Sequence, residues 1–300
     1  MSRILVTGSE GFIGKSAVLA LESAGHEVVT LDLRQSSSMR NHYIGDIRTI
    51  DLEELFEKIR PEIVVHLAAQ VIVTESFVDP IYDLEVNALG TLKMIQAAIK
   101  SGCSNFCYIH SGGAVYDSEA ALPLTENSPE RPVSPYGLTK RIGEGYVRVL
   151  SEVAGMSWSS LAYSNIYGPV KEHGKGVIFE FWNALKKGET AVIFGANITR
   201  DFLYIDDAVC AIVQAVTNPT NTRINISSGI ETSLNELYKL VAKKMQVEKV
   251  PRIEPARAGE ILQSCLSNEK AKIILDWVPE ITLEKGIELC IPVSEVKNVK

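Results

Sequence analysis

A chain of 300 residues that is 46% hydrophobic and 22% charged has the composition of an ordinary globular protein and the length to bury a large core. Its formal net charge of -7, with a pI near 5.4, argues against nucleic acid or an anionic membrane surface as the main partner. No apolar run reaches the roughly 18 residues of a membrane span, and Met1-Ser2-Arg3 leads straight into a strand-like run, so a cytoplasmic protein with no membrane partner is expected.

The first predicted element is a strand, Arg3-Ile4-Leu5-Val6-Thr7, short, apolar and β-branched. Gly8-Ser9-Glu10-Gly11-Phe12-Ile13-Gly14 follows at once, and a helical pattern then runs to Ala24. Gly8 suits a tight turn, Gly11 lets backbone N–H groups approach a pyrophosphate at a helix N-terminus, and Gly14 permits close packing of helix on strand. The spacing is GxxGxxG, and its strand-turn-helix setting is the one a dinucleotide-binding turn requires. A second strand over residues 26–31 ends in Asp32, 18 residues beyond Gly14. A carboxylate there can accept from adenosine ribose hydroxyls and repel a 2'-phosphate, which favours NAD over NADP. A plain turn aspartate also fits, and Arg34 could instead pair with a phosphate.

Helical patterns at Leu52–Ile59 and 82–100 alternate with strand-like runs at 63–67 and 106–110. This alternation predicts an α/β protein with a Rossmann-like, doubly wound parallel sheet, and Ile63-Val64-Val65 fits a strand covered on both faces. The five cysteines, at 103, 107, 210, 265 and 290, are odd in number and scattered without zinc-type spacing. They read as reduced, mostly buried thiols, with no metal site.

Ser134-Pro135-Tyr136-Gly137-Leu138-Thr139-Lys140 is the stretch richest in chemistry. Pro135 can open a helix, on which Tyr136 and Lys140 share a face, so that the ammonium can lower the pKa of the phenol. A phenol titrates near about 10, so a tyrosine base near neutrality needs a shift of roughly 3 units, about 4 kcal/mol. One solvated lysine would not supply it, and the spacing alone also fits two side chains on a surface helix.

Several segments decide between these readings. TGSEGFIG at 7–14, GDI around Asp46, HLAAQ at 66–70, NALGT at 87–91, SGGAVY at 111–116 and SPYGLTK at 134–140 are followed by SNIYGP at 164–169, TRDFLYIDD at 199–207, NISSG at 225–229 and RAGE at 257–260. In this order they resemble the extended short-chain dehydrogenase/reductase family, and within it the nucleotide-sugar epimerases and dehydratases. The resemblance makes Tyr136 and Lys140 catalytic, with Lys140 also on the nicotinamide ribose. It puts Phe12, Ile13 and Leu67 at the NAD site with the glycines, Asp46 and Ile47 at the adenine, Ala68 and Ala69 in the wall of the cofactor channel, and Asn87 as support for sheet and cofactor site. Asn165 and Val177 would meet sugar and base, and Arg200 and Arg257 would clamp the diphosphate, as guanidinium forks suit phosphate oxygens.

The family's hydroxyl before the VY pair relays the tyrosine's proton. Gly112 stands where many relatives carry it, which leaves Ser111 as the relay hydroxyl or as a structural serine. Sugar dehydratases carry carboxylates at this point, whereas Gly112-Gly113-Ala114 has none. The resemblance therefore implies NAD-dependent epimerisation at C4 of a nucleotide-diphosphate hexose, UDP-glucose or UDP-galactose, through a transient 4-keto sugar. The alternatives are a reductase using free NAD(P)H on a nucleotide keto-sugar and a non-catalytic NAD-sensing protein on the same fold.

Ala162, where relatives usually have arginine, and a 195–199 loop one residue short are departures. Seven residues after Arg257, Ser264 is small, which in hexose epimerases leaves room for an N-acetyl group. Residues 1–168 are expected to form the NAD-binding domain. Residues 169–300 form a smaller, interleaved nucleotide-sugar domain, with about 203–220 returning to the first. Relatives often form homodimers through the 82–100 and catalytic helices, for which Leu84, Leu92, Ile95 and Ile99 are candidates, although the same positions fit an internal core.

Overall fold

The structure, a computed structural model, describes residues 1–39, 41–169, 176–256 and 261–291. Its strands are β1 (Arg3–Thr7), β2 (Glu27–Asp32), β3 (His42–Ile44), β4 (Ile63–His66), β5 (Asn105–Ser111), β6 (Ser157–Tyr163), β7 (Asn165–Tyr167), β8 (Val192–Phe194), β9 (Thr199–Tyr204), β10 (Arg223–Ile226), β11 (Glu231–Ser233) and β12 (Arg252–Glu254). Seven of them form one sheet in the order β10-β6-β5-β4-β1-β2-β3, with every pairing parallel. Parallel strands need crossovers, and the helices that supply them cover both faces. β1 shows the consequence: Ile4 and Val6 enter one buried layer and Leu5 the other.

The chain leaves β1 towards β2 and β3, then returns to build β4, β5 and β6 on the other side. Strand order therefore reverses between β1 and β4, and the crevice beyond their carboxyl ends is where an open α/β sheet takes its ligand. β10 and the helix Ile205–Thr217 come from the later part of the chain, yet β10 pairs with β6 and the helix packs beneath the same sheet. A three-stranded sheet, β11-β9-β7, and a pair, β12-β8, make up the rest. Buried Asp201 of β9 ties these pieces together by accepting from the N–H groups of Ser228, Gly229 and Leu266. Among the described residues, no helix is long and apolar enough to cross a membrane. Four of the cysteines are buried and Cys210 is exposed, all as free thiols.

The helix predicted over 82–100 is present, starting at Pro80 and widened within its length: Pro80–Leu84 runs into a π-helical turn, Glu85–Gly90, and on into Thr91–Lys100. Such turns re-aim side chains at functional places. Here Asn87 accepts from the Gln70 N–H at 2.9 Å and donates to the Gln70 carbonyl at 3.0 Å, which pins the segment after β4. Of the four apolar positions considered for a dimer, Ile95 is core, Leu92 and Ile99 pack against it, and Leu84 alone is exposed. The exposed apolar side chains of this helix and of the one over Pro135–Ala154 include Ile81, Leu84, Leu138, Val149 and Val153.

Candidate active site

A cavity of about 640 Å³ opens at the β1/β4 reversal. Its floor is the glycine turn. Gly8, at φ +69°, donates to the Leu31 carbonyl and accepts from Gly11 N–H. A Cβ on Gly8 would lie 2.7 Å from the Ala68 nitrogen, and one on Gly14 would lie 2.2 Å from the Gly8 carbonyl oxygen. The helix Phe12–Ser23 then starts at Gly11 with no side-chain cap, so its first N–H groups remain available to an anion beside the cavity. Phe12 and Ile13 line the cavity with the three glycines, and Leu67, Ala68 and Ala69 line the wall after β4.

At the end of β2, buried Asp32 accepts from the N–H groups of Glu10 and Arg34, each at 2.9 Å. The Arg34 guanidinium turns back onto the same carboxylate at 3.3 Å. Arg34 itself lines the cavity, and in this arrangement its charge is directed at Asp32. Asp46 and Ile47 also line the cavity, and the Arg48 guanidinium grips Asp46 and holds its carboxyl below the usual range.

The catalytic stretch folds as its residues dictate. Ser134 caps the helix Pro135–Ala154 by accepting from Gly137 N–H at 3.1 Å, Pro135 fills the first helical position, and Gly155 ends the helix in the left-handed region. Tyr136 and Lys140 then face the cavity together, and Ser111 enters it from the end of β5. Lys140 is buried, with Nζ 4.2 Å above the Tyr108 ring, whose hydroxyl donates to the Lys140 carbonyl. Burial pulls the ammonium down to about 7 against the pull of Asp83 and Glu144. Burial also raises the Tyr136 phenol, while a hydrogen bond with Ser111 lowers it. At Gly112 a Cβ would meet Leu266 Cδ1 at 2.5 Å, so a side chain there requires Leu266 to move.

Buried polar side chains that the sequence patterns did not single out stand behind the pair. Asp83 accepts from Thr139 Oγ1 at 2.5 Å, Gln70 Nε2 at 2.9 Å and Asn87 Nδ2 at 3.1 Å. Asn87, expected at the cofactor, is buried in this network and is not among the described residues lining the cavity. Thr91 donates to the Asn87 carbonyl, so it accepts from His66 Nε2, and His66 Nδ1 accepts from Thr7. The imidazole is a neutral, fixed tautomer, pushed down to about 3 by burial and then by Lys140. Thr139 lies three residues after Tyr136 and Glu144 four after Lys140, the one helical spacing that could have flagged them.

On the other wall, Asn165 lines the cavity. Val177 instead sits in the first turn of the helix Val177–Lys186, packed against the core and not among the described lining residues. Arg200 donates through Nη1 to the carbonyls of Thr199 and Ile261, also outside that described lining. Arg257 lies outside the described residues. The short loop closes as a turn with Ile198 N–H on the Gly195 carbonyl. Ala162 is fully buried in β6, beside Asn225 of β10.

The NAD dependent epimerase/dehydratase family model matches residues 4–227. The chain belongs to that family. Within it, a UDP-glucose 4-epimerase of Mycolicibacterium smegmatis is 37% identical, over 95% of this chain and 96% of the relative. The crystal structure of a UDP-glucose 4-epimerase from Thermotoga maritima with UDP-glucose superposes at a TM-score of 0.91, with 35% identity over 99% of this chain and 98% of that one. The Thermus thermophilus UDP-glucose 4-epimerase in complex with NAD gives 0.88 and 31%, over 99% and 100%. This family member is an enzyme with a Rossmann-like fold, and NAD is its cofactor. The cradle fits the group: two positions where a Cβ would strike backbone, an uncapped helix start and a pre-oriented carboxylate suit a pyrophosphate and a ribose diol.

Proposed function

We propose that this enzyme epimerises C4 of a UDP-hexose, interconverting UDP-glucose and UDP-galactose through a 4-keto sugar. The observation that carries the reading is the convergence of Ser111, Tyr136 and Lys140 on the cavity that contains the glycine cradle. Among the described lining residues the carboxylates are Asp32 and Asp46, both engaged at the β2 and β3 ends. With neither of these beside the phenol, and with Asp83 behind it held by Thr139, Gln70 and Asn87, the described lining offers no acid and base for water elimination, and simple oxidation and re-reduction at one carbon remains.

Gly8, Gly11 and Gly14 would hold the pyrophosphate, Asp32 the adenosine ribose, Asp46 and Ile47 the adenine, and Lys140 the nicotinamide ribose. The bound dinucleotide supplies a hydride acceptor that becomes the donor in the return step, and its positive charge favours phenolate. Tyr136 removes the C4 hydroxyl proton, directly or through Ser111, and returns it to the same oxygen once the 4-keto sugar has turned its other face to the cofactor. Lys140 stabilises the phenolate meanwhile. Asn165, Val177, Arg200 and Arg257 are proposed as nucleotide-sugar contacts, the last two on the diphosphate, with residues 169–300 supplying that half of the site.

Purified protein should interconvert UDP-glucose and UDP-galactose with no cofactor added, because NAD is regenerated each cycle. Turnover only with added NADH, consumed in step with product, would replace this reading with a reductase. Ser264, outside the described cavity lining, is small at the position that in hexose epimerases leaves room for an N-acetyl group, so UDP-N-acetylglucosamine should turn over too. Turnover of plain hexoses alone would remove that part.

The exposed apolar side chains of the helices Pro80–Leu84 and Pro135–Ala154 flank a groove lined by Pro80, Leu84, Pro135, Leu138 and Ile142, which supports a homodimer through this face. A solution mass of one chain would sink that assignment.

A further inference from the structure

Glu144 lies one helical turn beyond Lys140, and both side chains are buried. An ammonium and a carboxylate four residues apart on a helix attract one another. In a poorly solvated setting that attraction is strong enough to redirect a flexible lysine. Drawn towards Glu144, the Lys140 ammonium would leave the phenol it is needed beside. The neighbouring strand prevents this. From β10, Arg223 donates through Nε to Glu144 Oε1 at 2.7 Å and through Nη2 to Oε2, while Ser160 of β6 donates to Oε1 at 2.6 Å. The third guanidinium nitrogen reaches Glu130 Oε1 at 2.5 Å, in the connection between Ser111 and the catalytic helix. With both Glu144 oxygens occupied, Lys140 stays over the Tyr108 ring and in the cavity lining.

We propose that Arg223 is a positioning residue for proton transfer: by holding both oxygens of Glu144, it keeps the Lys140 ammonium beside Tyr136. This rests on the reading of Tyr136 as the base. The other groups around Lys140 do not perform the task. Tyr108 and His110 face it from β5, His66 from β4 and Asp83 from the helix Pro80–Leu84. His110 Nε2 is 3.7 Å from Glu144 Oε2, but neither ring nitrogen has a hydrogen-bond partner among the described residues, and burial pushes the imidazole to about 3. It carries no charge at neutral pH with which to replace the guanidinium. Glu130 is shared with Arg141, so Arg223 also ties the 116–131 connection to the helix.

The test is a pair of variants, Arg223→Met and Arg223→Met/Glu144→Gln, against the wild-type enzyme. In the single variant Glu144 is free to capture Lys140. kcat at pH 7 should fall by about tenfold or more with KM little changed, and the acidic limb of the kcat profile should move up by roughly one pH unit. In the double variant no carboxylate competes, and the limb should return to its wild-type position. The Tyr136 phenol should follow the same pattern when titrated by phenolate absorbance, each protein compared with its own Tyr136→Phe counterpart. A single variant with the wild-type limb, or a double variant shifted as far as the single, overturns the proposal, as both leave Arg223 a merely structural residue. If Arg223→Met does not fold, Arg223→Gln and its Glu144→Gln double carry the same expectations and the same overturning results. A wild-type enzyme without epimerase turnover would overturn the functional reading itself, whereas turnover with an unshifted variant overturns only this inference.

Discussion

Tyr136→Phe is expected to lower kcat by about 10²- to 10⁴-fold, the range lost when a positioned general base is removed, while leaving NAD bound. The substitution deletes one oxygen and keeps the ring. The helix that carries it is started by Ser134 and Pro135, and the Tyr136 N–H is held by Ser76 Oγ at 3.2 Å, none of which involves the phenol. Nor does the phenol take part in the glycine turn or the Asp32 contacts. Its partner Ser111 faces the cavity, where solvent can satisfy its hydroxyl, so melting temperature should change little. The measurements are kcat on UDP-galactose and the NAD content of the purified variant. Turnover within tenfold of wild type would remove Tyr136 from the mechanism, and loss of NAD would mean that the phenol is part of the cradle instead.

The features legible in the sequence are those that chain-local rules encode. β1, the glycine turn and the start of the next helix occupy consecutive residues, and Tyr136 and Lys140 are separated by one helical turn. That the sheet is parallel and doubly wound follows from the alternation of strands and helices, because crossover helices leave few topologies. Tertiary partners were not legible in this way. The apolar positions at 84, 92, 95 and 99 fit one helix, and nothing in that period reports that Asn87 bonds across to Gln70, a contact that accompanies the π-helical turn. A buried apolar position such as Val177 looks the same whether it meets a ligand or a core. Arg223 and Glu144 are 79 residues apart, and their pairing depends on β10 lying next to β6. The space at Gly112 is likewise set by Leu266 and the Ala162 carbonyl, brought against it by the fold.

Gly14→Ala should separate a glycine required by close approach from one that is merely tolerated. A methyl at residue 14 would lie 2.2 Å from the Gly8 oxygen and 2.8 Å from the Ser9 Cα, all backbone that no rotamer change can move aside. The helix Phe12–Ser23 must therefore shift away from the turn, weakening the Gly11-to-Gly8 hydrogen bond that shapes the cradle. Overpacking of this kind costs about 1–3 kcal/mol, and a further misfit of about 1.4 kcal/mol at the pyrophosphate lowers NAD affinity roughly tenfold. Gly145→Ala is the control. That glycine is also inside a helix, and an added Cβ meets nothing within 4 Å. Alanine there removes the conformational freedom of glycine and should stabilise by up to about 1 kcal/mol. Thermal melts and NAD content of the two variants decide the matter. If Gly14→Ala melts and retains NAD as Gly145→Ala does, the contact between helix and turn is not what forms the site. If only the former loses both, cofactor retention depends on the approach of this helix to the end of β1, which residue 14 allows by lacking a side chain.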